Sequence, residues 1–228
     1  QTARYLDAFQ SFERNGASAD PAWVRDLRRD AAARFADLGF PTARRGNEEW
    51  KYTDVRPVAR ADFRPQAPVE PPAVPTGDLD RFTFGESRWS RLVFVDGRYA
   101  PNLSDVGSLP SGVSLLSLAD AMATRPELVR EHLARHAAHQ ENAFTALNTA
   151  FLHEGAFLHV PDRTEAPEPV HVLFLSTPEA AGAALQPRVL VLAGAESGVT
   201  IVESHGALSD ASYLTNAVTE VAVGDGAY

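Results

Sequence analysis

Three histidines in one short stretch make the most metal-like pattern in this 228-residue sequence. His132, His136 and His139 stand at i, i+4 and i+7, which on a helix shares one face. Two histidines four residues apart can chelate a divalent ion, as in zinc proteases. Here the intervening residues are Leu-Ala-Arg, with no glutamate where a general base would stand. A third ligand three residues further on strains the helical turn, so a polar helix face is the plainer reading. Glu203, His205, Asn216 and Glu220 form a second set, scattered through strand-like stretches. Carboxylate and imidazole together suit iron or zinc, provided neighbouring strands bring them together. No spacing rule links them, so solvent-facing or turn-capping positions are the expectation.

Two absences narrow the chemistry further. There is no cysteine, hence no disulfide, no thiol nucleophile and no thiolate ligand for iron or zinc. There is also no Gly-x-x-x-x-Gly-Lys-Ser/Thr loop. The glycines at 194–198 (GAESG) and 224–226 (GDG) are followed by neither lysine nor a helical pattern, and read as strand turns. ATP hydrolysis, if needed, falls to another chain. The net charge of −9, with no basic patch, argues against nucleic acid and anionic membranes. With no apolar run long enough to span a bilayer and no signal-peptide plan, the expected compartment is cytoplasmic.

These residues need elements to hold them. At 44% hydrophobic, the chain has material for one large core or two small ones. Tyr5, Leu6, Phe9 and Phe12 recur at helical spacing over 2–14, with Gly16 as the stop. Asp20-Pro21 predicts a capped start to a second helix whose apolar stripe is Trp23, Val24, Leu27, Ala31, Phe35 and Leu38, stopped by Gly39. Arg25, Arg28, Arg29 and Arg34 mix with Asp26, Asp30 and Asp37, which reads as a solvated face with local ion pairs. The segment 64–77 is proline-rich and without period, predicting an exposed linker or surface crossing. A hairpin is predicted over 92–103, turning at Asp96-Gly97, and two short helices over 115–123 and 127–138.

The stretch 142–161, NAFTALNTAFLHEGAFLHVP, marks a change of period. Phe144, Leu147 and Phe151 predict a helix over 140–152, with Gly155 suited to its C-terminal end. From 156 to 160 the pattern alternates, sending Ala156, Leu158 and Val160 to one face and Phe157 and His159 to the other. Further short strands are predicted at 170–175, 189–192, 199–203 and 217–223. From periodicity alone a solenoid, a sandwich and a barrel all remain open.

Two stretches resemble a known family. LNTAFLHEGAFLHVP, at 147–161, is similar to the signature that opens the core domain of the SufB/SufD family, non-ATPase subunits of the SUF iron–sulfur cluster assembly machinery. NEEWKYT, at 47–53, is similar to a motif near the start of the SufD branch. The motifs agree in order and the resemblance runs from about residue 23 to the end. Glu48, Trp50, Lys51, Tyr52 and Thr53 of the first motif, with Asn148, Phe151 and Gly155 of the second, are expected to be structural rather than catalytic. Lys51 is the only lysine in the chain; compositional bias is the plain explanation, although a position needing an ammonium would read the same way.

The resemblance implies an α+β fold: a helical N-terminal domain followed by the first rungs of a right-handed parallel β-helix, truncated. The implied boundaries are 1–63 helical, 64–80 linker, 81–152 mixed hairpin and helices, and 153–228 the start of the β-helix. It further implies a non-enzymatic scaffold subunit that pairs with SufB and the ATPase SufC. The cluster, ATP through SufC and reduced flavin would then belong to the complex, with no cofactor held by this segment. A homodimer is also plausible on symmetry grounds. The competing readings are a stand-alone metal-binding protein using His132, His136 and His139, and a β-helix enzyme acting on acidic polysaccharide.

Overall fold

A computed structural model describes residues 2–15, 20–43, 48–65, 70–85, 88–107 and 109–228. Gly16 and Asn47 lie outside these residues. Two long helices open the chain, α1 (Thr2–Asn15) and α2 (Ala22–Leu38). Tyr5, Phe9 and Phe12 of α1 and Ala31, Ala32 and Phe35 of α2 form one apolar cluster with a later helix. Burying each of the phenylalanine side chains contributes about 1.5–3 kcal/mol, enough to hold two helices together as a layer. Asp20 does not cap α2. Pro21 occupies that position without a side-chain hydrogen bond, and Asp20 pairs instead with Arg28 at 2.7 Å. Arg28 is fully buried, unlike the solvated position read from its neighbours; Arg29 and Arg34 do make the expected surface pairs with Asp26 and Asp37.

A single turn at Glu48–Trp50 leads to α3 (Arg56–Arg60), the two-residue strand β1 (Arg64–Pro65) and the one-turn α4 (Thr76–Leu79). The proline-rich segment is not wholly exposed. Val74 and Leu79 are buried against β2 (Ser90–Val95), where Val93 and Val95 present one side of the strand. The hairpin is as expected: β2 pairs antiparallel with β3 (Arg98–Tyr99). Its turn residues, Asp96 and Gly97, both have positive φ, the requirement of a two-residue type I′ turn.

Residues 114–117 form a strand, β4 (Ser114–Ser117), where the reading of the sequence placed a helix from 115. The helix α5 (Leu118–Thr124) starts only after Ser117, whose side chain accepts from Asp120 N–H as an N-cap. Next come α6 (Pro126–His132) and α7 (Ala143–Ala150). The predicted helix over 127–138 therefore ends six residues early, with Ala134 at a φ of 60°. Asn142 caps α7 by accepting from Phe144 and Thr145 N–H.

Seven strands follow: β5 (Gly155–Val160), β6 (Glu165–Ser176), β7 (Ala183–Leu185), β8 (Arg188–Ala193), β9 (Gly198–Ala207), β10 (Leu214–Thr215) and β11 (Val218–Val223). They fall into three sheets in strict rotation. One sheet is ordered β11-β8-β5-β4, a second β3-β2-β6-β9 and a third β1-β7-β10. All pairings among β5 to β11 are parallel; the antiparallel pairs are β2 with β3 and β4 with β5. The architecture is thus α+β with parallel and mixed sheets. The two four-stranded sheets face each other over a core that includes Leu92, Phe94, Leu158, Val172, Phe174 and Val191. Phe157, Leu190 and Leu192, on the other side of the first sheet, pack under α5 and α6. The helical layer closes on the third sheet through Ala184.

Candidate functional site

The family-like motif around residue 50 divides its labour. Trp50 packs its ring against Phe144 of α7, centroids 5.3 Å apart. That contact anchors the turn, as aromatic side chains commonly do. Lys51 and Tyr52 then point away from the core. Lys51 Nζ lies 3.5 Å from Glu48 and over the Tyr52 ring, and Tyr52 is 90% exposed. Thr53 closes the turn by donating its N–H to Trp50 O.

The second motif lies at the joint between helices and strands. Asn148, on α7, donates from Nδ2 to Pro187 O at 2.9 Å and Asn216 O at 2.7 Å, and its Oδ1 accepts from Arg188 Nη1 at 2.9 Å. Arg188 is fully buried at the start of β8 and also bonds Glu220 of β11, from Nε at 3.0 Å and Nη2 at 2.5 Å. Glu220 accepts from Ala134, His136 and Ala137 N–H as well, at 2.9 to 3.1 Å. This explains the early end of α6: the carboxylate takes N–H groups that a longer helix would have turned inward. Burial alone would raise the Glu220 pKa, but the Arg188 charge and the Ala137 and Ala134 N–H groups outweigh it and hold it below the usual value. Asn216 extends the lattice, donating to Phe144 O and Gln186 Oε1.

Gly155 opens β5 rather than ending α7, which Phe151 does. Its φ is 152°, and a Cβ there would overlap the carbonyl oxygen of Arg188. The glycine is needed because the backbone of the next paired strand approaches so closely. Phe151 packs edge-on against Phe9 and also meets Phe12.

Between these lies a cleft that residue spacing did not flag. Phe12 and Phe151 form one wall, Asp96 to Arg98 of the hairpin another, and Gln186 and Leu185 a third, with His153 and Glu154 among them. Arg28 Nε donates to Leu152 O, and Asp20 lies 4.0 Å from His153 Nδ1. Burial pushes Glu154 up to about 7 despite the opposing charge of Arg98, and its Oε2 is buried without a hydrogen-bond partner. Burial also pushes His153 down to about 4. The site therefore offers a carboxyl group that exchanges its proton near neutrality beside a neutral imidazole. The sequence signal for it was only the His-Glu-Gly that ends the helix pattern.

The three histidines do not share a helix face. His132 ends α6 and stacks on His136 in the following turn, ring centroids 6.2 Å apart. His139 is buried and donates to Asp30 of α2 at 2.7 Å. Among the described residues, no group of three or more histidine, aspartate or glutamate side chains is arranged to hold a metal. Of the four strand residues, Glu203 and His205 meet at 2.9 Å, whereas Asn216 and Glu220 belong to the lattice around Arg188.

The fold and its joints define an α+β protein whose buried ionisable groups tie a helical layer to a stack of strands. Residues 1–172 match the family model for the SufBD protein N-terminal region. The chain belongs to the SufB/SufD family. It is 32% identical over 208 residues to an iron–sulfur cluster assembly SufBD family protein of Synechocystis, covering 88% of this chain and 45% of that one. Against the iron–sulfur cluster assembly protein SufD of Bacillus subtilis it is 26% identical over 212 residues, 91% of this chain and 47% of the relative. Against SufB of the same organism it is 23% identical over 217 residues, 92% and 46%. The chain spans less than half the length of these relatives. No helix among the described residues is long and apolar enough to cross a membrane.

Proposed function

We propose that this chain is a SufD-type scaffold in an iron–sulfur cluster assembly complex, pairing with a SufB homologue and an ATPase of the SufC kind. The observation that carries the reading is the family match over residues 1–172, which brings a role in iron–sulfur cluster assembly. The SufD branch is favoured by the motif at 47–53, with Trp50 anchored and Lys51 and Tyr52 outward. A chain without cysteine suits the partner that does not supply the main thiolates. Its contribution is geometric: it holds a partner and transmits strain from ATP-driven dimerisation of SufC, and it performs no catalysis with its own side chains. The cluster is cargo of the whole complex, and reduced flavin acts at that level too.

The three sheets are, in this reading, the faces of a right-handed parallel β-helix. Support comes from the strict rotation of strands and from its period: Gly155 pairs with Arg188, 33 residues on, and Arg188 with Val218, 30 residues on. Stacked coils of near-constant length are the mark of a solenoid. Co-expression of the protein with tagged SufB and SufC homologues, followed by mass determination, tests the assignment. A three-component complex is expected; a protein that never associates with either homologue defeats it.

A further inference from the structure

The cleft between α1, the β2–β3 turn and the third sheet is lined by two side chains with polar atoms that no neighbour satisfies. Glu154 Oε2 and Gln186 Nε2 are both screened from bulk water and neither has a hydrogen-bond partner. Their chemistry is fixed from outside the cleft. Asn216 Nδ2 donates to Phe144 O at 2.8 Å; a backbone carbonyl only accepts, so this atom is the amide nitrogen. It also donates to Gln186 Oε1 at 2.7 Å, which leaves Nε2 of Gln186 as a spare donor. On the other side Gly155 N–H bonds the Glu154 carboxyl, and Oε2 is the spare acceptor. His153 Nδ1, also without a hydrogen bond, lies 4.0 Å from the Asp20 carboxylate. The cleft thus sets one donor and one acceptor, neither reaching the other, beside the rings of Phe12 and Phe151. Folded proteins keep few such atoms unpaired, because the lost hydrogen bonds to water are not replaced.

Room decides what can pair with both. The enclosed part of the cleft measures about 40 Å3, where one water needs about 10–15 Å3. Three non-hydrogen atoms fit and a ring does not. A planar head of one carbon, one oxygen and one nitrogen offers an acceptor to Gln186 and a donor to Glu154 at once. A carboxylate offers acceptors alone and an amidinium donors alone, so each sets one protein atom against its own kind. Every lining residue precedes β9 in the chain, so the cleft is built without the last three strands.

We propose that this cleft binds the carboxamide group of a small neutral ligand whose apolar body lies against Phe12 and Phe151. The ligand oxygen accepts from Gln186 Nε2 and the ligand nitrogen donates to Glu154 Oε2. The ligand is held and not converted. The site stands whether or not the chain joins a complex.

The test uses benzamide as the probe, with benzoate, benzamidine and toluene as controls. Each is titrated into the isotope-labelled protein at pH 8, where Glu154 is ionised, and followed by backbone amide shifts. Benzamide should give one saturable set of shifts centred on Gly97 and Gly155. Each control should bind at least about tenfold more weakly, because a site built on hydrogen bonds rejects analogues that lack them. This selectivity is read on the parent protein and needs no variant. Gln186→Glu keeps the oxygen that Asn216 bonds but turns the spare donor into an acceptor. It should weaken benzamide by about tenfold or more and reverse the preference toward benzamidine. Glu154→Leu should weaken benzamide by a similar factor. Amide shifts away from the cleft verify that both variants fold. No saturable shift with benzamide, equal binding of benzoate or toluene, or benzamide binding unchanged in either variant would each overturn the proposal.

Discussion

The protein sets two glutamates in its helix–strand joint, Glu220 buried and Glu154 half-buried, and treats them in opposite ways. Glu220 receives Arg188 and three backbone N–H groups, so its charge is matched on every side. Glu154, in the cleft behind Phe151, has the opposing charge of Arg98, one backbone donor in the Gly155 N–H, and a buried oxygen with no hydrogen-bond partner. The first stays ionised and acts as a rivet between β8, β11 and the turn after α6. The second is driven toward its neutral form. Burial is common to both; the number of aimed donors decides whether the charge survives it.

The largest expected effect comes from breaking the matched site. Glu220→Ala leaves Arg188 buried without its carboxylate and frees the turn at 134–137. A loss of about 3–5 kcal/mol is expected, measured by urea unfolding, with the transition kept two-state. A loss near zero would mean that the lattice only decorates the joint.

The second effect separates the two glutamates by pH. Burial raises the Glu154 carboxyl from its ordinary value of 4.5 to about 7 in the folded protein. Folding therefore favours its protonated form, and the stability it gives is full below about pH 4.5 and is lost as pH rises to about 7, by roughly 2–3 kcal/mol. Glu220 runs the other way: its lowered pKa gives stability above the ordinary carboxylate value that is lost on acidification. Glu154→Gln should flatten the fall between pH 4.5 and 7 and stabilise the protein at pH 8. An unchanged stability profile in that variant would show that the cleft hydrates its carboxylate.

Smaller effects sharpen the contrast. Asn148→Ala removes two donors and one acceptor from the lattice but leaves its ion pair, so about 1–3 kcal/mol is expected by the same unfolding measurement. Lys51→Ala, which removes the exposed contacts with Glu48 and the Tyr52 ring, should leave the melting temperature unchanged. A large shift there would move Lys51 from presented surface to structural anchor.

Much of the joint was legible in the sequence, and the reasons for the rest are specific. The stripes of α1 and α2, the alternation from 156 to 160 and the Asp96-Gly97 turn follow local rules, and all are present. Asn148, Phe151 and Gly155 were singled out by resemblance, and the structure gives each a packing or hydrogen-bonding task. The end of α6 was not legible, because the carboxylate that ends it is 86 residues away from Ala134. Nor were β7 and β10, which are only three and two residues long and hold no period. Arg28 was read with its neighbours as part of a solvated face, and Arg188 was not singled out, although it is the one charge entering the apolar run 188–193. Glu203 and His205 were named with Asn216 and Glu220, yet strand register divides the four into an inward pair and a lattice. The spacing of letters cannot reveal register between strands some thirty residues apart.

In the proposed scaffold role, this chain contributes shape and partner contacts rather than reactive side chains. The direct measurement is cluster formation by a reconstituted complex of the protein with its SufB and SufC homologues, monitored by visible absorption. Cluster yield should vanish when the chain is omitted and remain at the parent level with His153→Ala or Glu154→Gln, the two titratable cleft residues most able to move a proton. An intact complex that loses cluster formation through either substitution would contradict the account and make the cleft a reactive site.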